Sequence, residues 1–196
     1  MSQNPLYPIF LKLHQLKLLI VGAGEVGEEK LRFILKSSPE ANITIVAKEV
    51  LPPVRALLKN NPNAKIKVIE KAFEVTDVDG FDLVIAATNF KEVNLVVQKA
   101  AKTYKILVNV ADTPDLCDFY LGSIVTRGDL KVAISTNGKS PTFAKRFRQL
   151  LEEILPKETG DLLQNLKIVR DNLKGNFEAK VKALNELTAS LVDRQN

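Results

Sequence analysis

Apolar residues fall along this chain in two alternating rhythms. Short near-continuous runs are followed by longer stretches in which apolar positions recur at helical spacing. Leu16-Lys17-Leu18-Leu19-Ile20-Val21 reads as a strand and leads into a helix through Glu28-Glu29-Lys30-Leu31-Arg32-Phe33-Ile34-Leu35. Asn42-Ile43-Thr44-Ile45-Val46-Ala47 is β-branched, as a buried parallel strand requires. Residues 51–59 read as a short helix opening on Pro52-Pro53 and broken by Asn60-Asn61-Pro62-Asn63, after which Lys65-Ile66-Lys67-Val68-Ile69 alternates as a third strand. Residues 81–88 form a buried fourth strand, 89–104 place Val93, Val96, Val97 and Ala100 on a helix, and 106–110 make a fifth strand. Strand and helix alternating over 16–110 predict an α/β fold, a doubly wound parallel sheet with right-handed crossovers. A ligand on such a sheet belongs at the carboxyl ends of its strands.

Beyond residue 112 the rhythm changes. Phe119-Tyr120-Leu121-Gly122-Ser123-Ile124-Val125 and Leu130-Lys131-Val132-Ala133-Ile134-Ser135 flank Thr126-Arg127-Gly128-Asp129, which reads as a hairpin. Ser140-Pro141 then opens a helix, serine as N-cap and proline in the first turn. Phe143, Phe147, Leu150, Leu151 and Ile154 are expected on one of its faces, and Pro156 ends it. Two amphipathic helices complete the tail, punctuated by Gly160 and Gly175. Leu162, Leu166, Val169 and Leu173 stripe one; Phe177, Val181, Leu184, Leu187 and Leu191 stripe the other. Stripes of this kind are core or dimer contacts. The expected domains are residues 1–112, a sheet domain; 113–155, a small α+β hairpin–helix segment; and 156–196, a C-terminal helical tail.

The junction of the first strand and helix, Val21-Gly22-Ala23-Gly24-Glu25-Val26-Gly27, carries the chemistry. In a G-x-G-x-x-G set between strand and helix, Gly22 allows a tight turn and Gly24 lets a pyrophosphate approach the backbone. Gly27 lets the helix lie close on the strand. The helix N-terminus through Glu25, Val26 and Gly27 offers N–H groups to that anion. A dinucleotide cofactor on a Rossmann-type domain is the expectation. The acid that usually holds the ribose is expected about 20 residues on, where this chain has Ala47 instead, with Lys48 and Glu49 following. From the residues, NAD against NADP stays open.

Hydrophobic residues make up 45% of the 196 and charged residues 26%, as in ordinary globular proteins. Cys117 is the only cysteine, which excludes a disulfide framework and a cysteine zinc site. No apolar run reaches membrane-spanning length, and Met1-Ser2-Gln3-Asn4-Pro5 lacks the form of a signal peptide, so the expected address is cytoplasmic, with no membrane partner. The net charge is +5, and residues 127–148 hold the whole excess: Arg127, Lys131, Lys139, Lys145, Arg146 and Arg148 against Asp129. That stretch is either a solvated face or the seat of a polyanionic ligand. Nucleic acid is disfavoured, because no aromatic stacking series accompanies the charge.

A hydride-transfer site needs a proton donor or acceptor, usually histidine. His14 precedes the first strand, at the wrong end of the sheet. Asp112, in Asn109-Val110-Ala111-Asp112 directly after the fifth strand, is the better candidate; the alternative is a loop aspartate shaping the turn before Thr113-Pro114.

The glycine turn, Ala86-Ala87-Thr88-Asn89, Asn109-Val110-Ala111-Asp112 and Ser135-Thr136-Asn137-Gly138-Lys139-Ser140-Pro141-Thr142-Phe143-Ala144-Lys145 occur here in the order of the sirohaem synthase family. The chain resembles that family's precorrin-2 dehydrogenase/sirohydrochlorin ferrochelatase module over residues 7–155. The resemblance implies NAD-dependent oxidation of precorrin-2, a tetrapyrrole, followed in many members by insertion of ferrous ion as co-substrate. It also implies a homodimer built through the 113–155 segment. In residues, it implies Asp112 as general acid/base, and Gly22, Gly24, Glu25, Val26, Gly27, Ala47, Thr88, Asn89 and Asn109 around NAD. Arg127, Thr136, Asn137, Lys139, Ser140, Lys145 and Arg148 are implied around the acidic macrocycle. No protein metal ligands are expected, because the macrocycle supplies the nitrogens. The competing reading is a nucleotide-sensing regulatory module that binds NAD without chemistry. The hairpin, Ser140-Pro141 and the basic stretch weigh against it.

Overall fold

The computed structural model describes residues 4–189. Met1, Ser2 and Gln3, and Leu191 of the last stripe, lie outside the described residues. The chain divides into two compact units. One runs to Gly122 and includes Asn137–Lys139; the other comprises Ser123–Thr136 and the chain from Ser140 onward.

The first unit is a five-stranded parallel sheet. Its strands are β1 (Lys17–Ala23), β2 (Asn42–Val50), β3 (Lys65–Glu70), β4 (Leu83–Ala86) and β5 (Leu107–Val110), in the order β3-β2-β1-β4-β5. Helices α1 (Glu25–Ser37), α2 (Pro52–Asn60) and α3 (Lys91–Thr103) make three of the four crossovers, and the connection from β3 to β4 has no α-helix. Alternate residues of β1 serve opposite faces. Leu18 and Ile20 pack with Leu31, Ile34 and Leu35 of α1, whereas Leu19 and Val21 pack with Val84, Val97 and Val108. Burial on both faces explains the near-continuous apolar runs. Each fully buried Leu, Ile or Val among them contributes about 1.5–3 kcal/mol.

The strand order reverses between β1 and β4, which opens a crevice at their carboxyl ends. Two features of this unit depart from the periodicity. Strand β2 continues past Ala47 to Val50, because β1 itself continues to Ala23 and Val50 pairs with it after a register shift. A 3₁₀ turn, Val75–Val78, follows β3. Glu74 and Asp77 cap it reciprocally, and Lys71 Nζ lies 2.7 Å from Asp77 Oδ1.

In the second unit, β6 (Ser123–Arg127) and β7 (Leu130–Ile134) pair as an antiparallel hairpin through Gly128-Asp129. The first strand is shorter than its apolar run. Phe119 is absent from it because its carbonyl accepts from Asn109 Nδ2 at 2.8 Å, holding that stretch beside β5 instead. Gly128 has φ +56°, and a Cβ there would lie 2.7 Å from Gly160 Cα, so the hairpin tip rests on the first turn of α5 (Thr159–Asn172).

Helix α4 (Pro141–Ile154) starts as its residues dictate: Phe143 N–H donates to Ser140 Oγ at 3.2 Å. Its apolar residues divide, however. Ala144 and Leu151 pack on Val125 and Ile134 of the hairpin, while Phe143, Phe147, Leu150 and Ile154 are 59%, 39%, 48% and 60% exposed. The expected single face is therefore two, since a two-stranded hairpin covers only one side of the helix. Neither α5 nor α6 (Phe177–Thr188) has a buried residue, so their stripes meet no core among the described residues.

Candidate active site

The glycine turn sits where β1 meets α1, at the sheet's switch point. Gly22 has φ +110°, and a Cβ there would stand 2.4 Å from Ala87 O; a Cβ on Gly27 would stand 2.2 Å from Gly22 O. Both glycines are demanded by backbone pressed on backbone. Gly24 is different. It has an ordinary extended conformation, and a Cβ there would find only Asn89 Nδ2, at 3.9 Å. Its small size serves no contact within the protein and leaves room for a ligand. Gly24 is also the N-cap of α1, with no side-chain cap to the helix. The first-turn N–H groups at Glu25, Val26 and Gly27 therefore stay available to an anion. An open cradle under an uncapped helix N-terminus fits a dinucleotide pyrophosphate.

Across the crevice, the loop after β4 is held by a residue that periodicity did not single out. Asn94, 6% exposed in α3, accepts from Thr88 N–H at 3.1 Å and from Thr88 Oγ1–H at 2.7 Å, and donates to Thr88 O at 2.9 Å. Thr88 thus spends its polar groups on loop geometry, leaving Asn89 exposed beside Gly24. The only advance signal was an asparagine inside an otherwise helix-favouring apolar stretch. Ala47 is 7% exposed within the core, and its carbonyl accepts from Lys71 N–H at 2.9 Å. Lys48 and Glu49, both exposed, are the polar side chains next to it on β2.

Asp112 stands just beyond β5, which neighbours β4. It occupies the left-handed region, φ 56°, within a turn closed by Thr113 N–H on Val110 O at 3.3 Å. Aspartate tolerates this conformation better than most residues. The carboxylate is exposed and has no hydrogen bond or ion pair among the described residues. Asn109 is 7% exposed, and its amide is committed to Phe119 O. It holds the structure beneath Asp112. Cys117 Sγ accepts from Val110 N–H at 3.1 Å, and burial pushes its thiol pKa up. Asp118 reaches the same strand, accepting from Val108 N–H at 3.0 Å and pairing with Lys102. His14 is exposed in the turn before β1, at the opposite, amino end of the sheet.

The basic stretch is not uniform. The guanidinium of Arg127 donates through Nε to Leu155 O at 3.2 Å, through Nη2 to Glu152 O at 2.5 Å and through Nη1 to Thr126 O at 3.2 Å. It closes the carboxyl end of α4, a role its sequence position hid because its partners lie 25–28 residues away. Arg148 pairs with Glu152 at 2.5 Å. Lys145 and Arg146 are exposed on the first turns of α4. Thr136 Oγ1 accepts from Ser140 N–H at 3.1 Å, and between them Asn137 and Gly138 take φ +53° and +73°. We expect Arg127→Gln to lower stability by about 1–3 kcal/mol. Urea melts should register that loss, with ligand affinity nearly unchanged.

Among the described residues, no helix is long and apolar enough to cross a membrane. Residues 9–123 match the family described as "Putative NAD(P)-binding", and residues 127–154 match "Sirohaem biosynthesis protein central". The chain is 40% identical over 167 residues to a siroheme synthase of Methylococcus capsulatus, an alignment covering 85% of this chain and 34% of that protein. It is 39% identical over 176 residues to a siroheme synthase of Vesicomyosocius okutanii, covering 90% and 35%. The chain thus spans about a third of the length of these curated relatives. Its fold is shared with a solved precorrin-2 dehydrogenase, SirC, at a TM-score of 0.72 and 24% identity, over 97% of this chain and 91% of that one. The match over residues 9–123, more than half of the chain, places it in the NAD(P)-binding family, and residues 127–154 add the central segment of sirohaem biosynthesis proteins.

Proposed function

We propose that this chain oxidises precorrin-2 to sirohydrochlorin with NAD, and that ferrous ion is then inserted as a second substrate. The observation that carries the reading is a pairing on one sheet edge: a cradle that fits a pyrophosphate at β1 and, beyond β5, a carboxylate without a partner among the described residues. The siroheme synthases that this chain resembles supply the substrate class.

When bound, NAD would accept a hydride from the macrocycle. The protein's tasks are then to hold, orient and move protons. The backbone at Gly24, Glu25, Val26 and Gly27 takes the pyrophosphate, with the Asn94-braced loop presenting Asn89 alongside. Thr88 and Asn109 keep that edge in shape, and β2 from Ala47 onward offers the ribose a surface. Asp112 accepts the proton that leaves the macrocycle as the hydride departs, giving one NADH and one proton for each sirohydrochlorin. The same carboxylate would receive pyrrole N–H protons when the metal enters. Lys139, Lys145 and the N-terminus of α4 at Ser140, with Thr136 and Asn137 shaping the preceding loop, would meet the substrate's carboxylates. Arg127 and Arg148 contribute through α4, which they brace.

We also propose a homodimer and a cytoplasmic address. The exposed stripe Phe143, Phe147, Leu150 and Ile154, with the uncovered stripes of α5 and α6, is the surface a second copy would bury. Phe147→Glu combined with Ile154→Glu should yield monomers in analytical ultracentrifugation where the parent chain sediments as a dimer.

The test of function is an anaerobic incubation with precorrin-2 and NAD, with and without ferrous ion. Sirohydrochlorin in the metal-free tube and sirohaem in the other would support both steps. Sirohydrochlorin in both tubes, with no faster metal uptake than without protein, would leave a dehydrogenase alone. NAD binding without any tetrapyrrole product would favour the sensor.

A further inference from the structure

The turn that carries Asp112 is held in a conformation that L-residues rarely adopt, so something must hold it. Three polar contacts of one side chain converge on it. Cys117 Sγ lies 3.1 Å from Val110 N, whose N–H donates to it, and two carbonyls are within reach of the thiol hydrogen, Val110 O at 3.2 Å and Thr113 O at 3.4 Å. These are the two residues that bracket Ala111-Asp112. Asn109 Nδ2 approaches the same sulfur at 3.5 Å while donating to Phe119 O at 2.8 Å. The next residue, Asp118, grips β5 two residues earlier: its N–H donates to Val108 O at 2.8 Å and its Oδ2 accepts from Val108 N–H. The stretch 117–119 therefore returns along β5 as a clasp, and its sulfur lies under the turn.

We propose that Cys117 is a positioning residue: its thiol fastens the turn 110–113 and so sets where the Asp112 carboxylate stands. This rests on the reading of Asp112 as the acid/base. The thiol suits the place because sulfur's long bonds let one side chain serve both ends of the turn. Burial also keeps it protonated, so it remains a donor at neutral pH. Its job is mechanical; it takes no part in bond making.

The test is a double-mutant cycle on the whole chain with NAD and precorrin-2. Cys117→Ala should lower kcat by a factor on the order of 10–10², with KM for NAD and the melting temperature near those of the parent. Cys117→Ser, which keeps a donor and an acceptor, should recover most of that loss. In the Asp112→Asn background, Cys117→Ala should have no further effect. Without substrate or cofactor, amide exchange at Val110 and Thr113 should quicken in Cys117→Ala.

Unchanged kcat in Cys117→Ala, or a full additional loss in the Asp112→Asn background, would overturn the proposal. If the alanine variant does not fold, Cys117→Ser carries the same cycle: an unchanged turn by amide exchange with a large loss of kcat would equally overturn it. The two readings fail separately. A fully active Asp112→Asn removes the acid/base role itself, whereas an inactive Asp112→Asn beside a fully active Cys117→Ala removes only the clasp.

Discussion

Asp112→Asn is expected to lower turnover by a factor on the order of 10²–10⁴, the range for a lost general acid/base, with NAD affinity unchanged. The substitution is well controlled by the backbone. Asp112 has φ 56°, and asparagine is among the few residues that accept that region readily. The turn should survive while the charge disappears. Asp112→Gly makes a second control, because glycine adopts the same φ without strain and also lacks the carboxylate. Asp112→Ala would confound the result, since its Cβ adds backbone strain of about 1–3 kcal/mol at such a position. Equal losses in the asparagine and glycine variants would locate the effect in the carboxylate. Near-normal rates in both would make Asp112 a turn residue and nothing more.

 Gly24 and Gly27, three positions apart, should fail in opposite ways when changed to alanine. Gly27→Ala would push a methyl group to 2.2 Å from Gly22 O and 2.8 Å from Gly22 C, both backbone atoms that cannot swing aside. Helix α1 would have to lift from β1, at a cost of about 3 kcal/mol, a large fraction of the roughly 5–15 kcal/mol that holds a typical domain folded. Gly24→Ala meets nothing nearer than Asn89 Nδ2 at 3.9 Å and needs no unusual φ. Its melting temperature should stay near that of the parent while NAD binding weakens by about tenfold or more, equivalent to about 1.4 kcal/mol. Thermal melts with and without NAD separate the two. A Gly24→Ala variant that binds NAD normally would show that the cradle is not where the pyrophosphate lies.

Much of the sheet was legible because strands buried on both faces must be apolar at nearly every position, as Leu18, Leu19, Ile20 and Val21 are. The end of β2 was not, since Lys48 and Glu49 break the apolar run and only the pairing of Val50 with Ala23 reveals the continuation. The glycine turn was readable as a motif, but the division of labour within it required coordinates. Gly22 and Gly27 answer to neighbouring backbone, and Gly24 to open space.

Side chains acting across long sequence separations were the least visible. Arg127 has the same charge whether it meets a substrate or ends a helix, and its carbonyl partners on Glu152 and Leu155 leave no local mark. Asn94 and Cys117 were hidden for a related reason: each works on backbone groups that any sequence possesses. The two faces of α4 leave no mark in its periodicity, which records which residues are apolar, not how many sides a two-stranded hairpin can cover.

The most direct measurement is the absorbance of NADH after anaerobic mixing of the parent chain with NAD and precorrin-2, with sirohydrochlorin assayed in the same sample. One NADH per sirohydrochlorin, at a rate that collapses in Asp112→Asn, is the expected result. Cofactor bound with no NADH formed, or an equal rate in the two proteins, would contradict it.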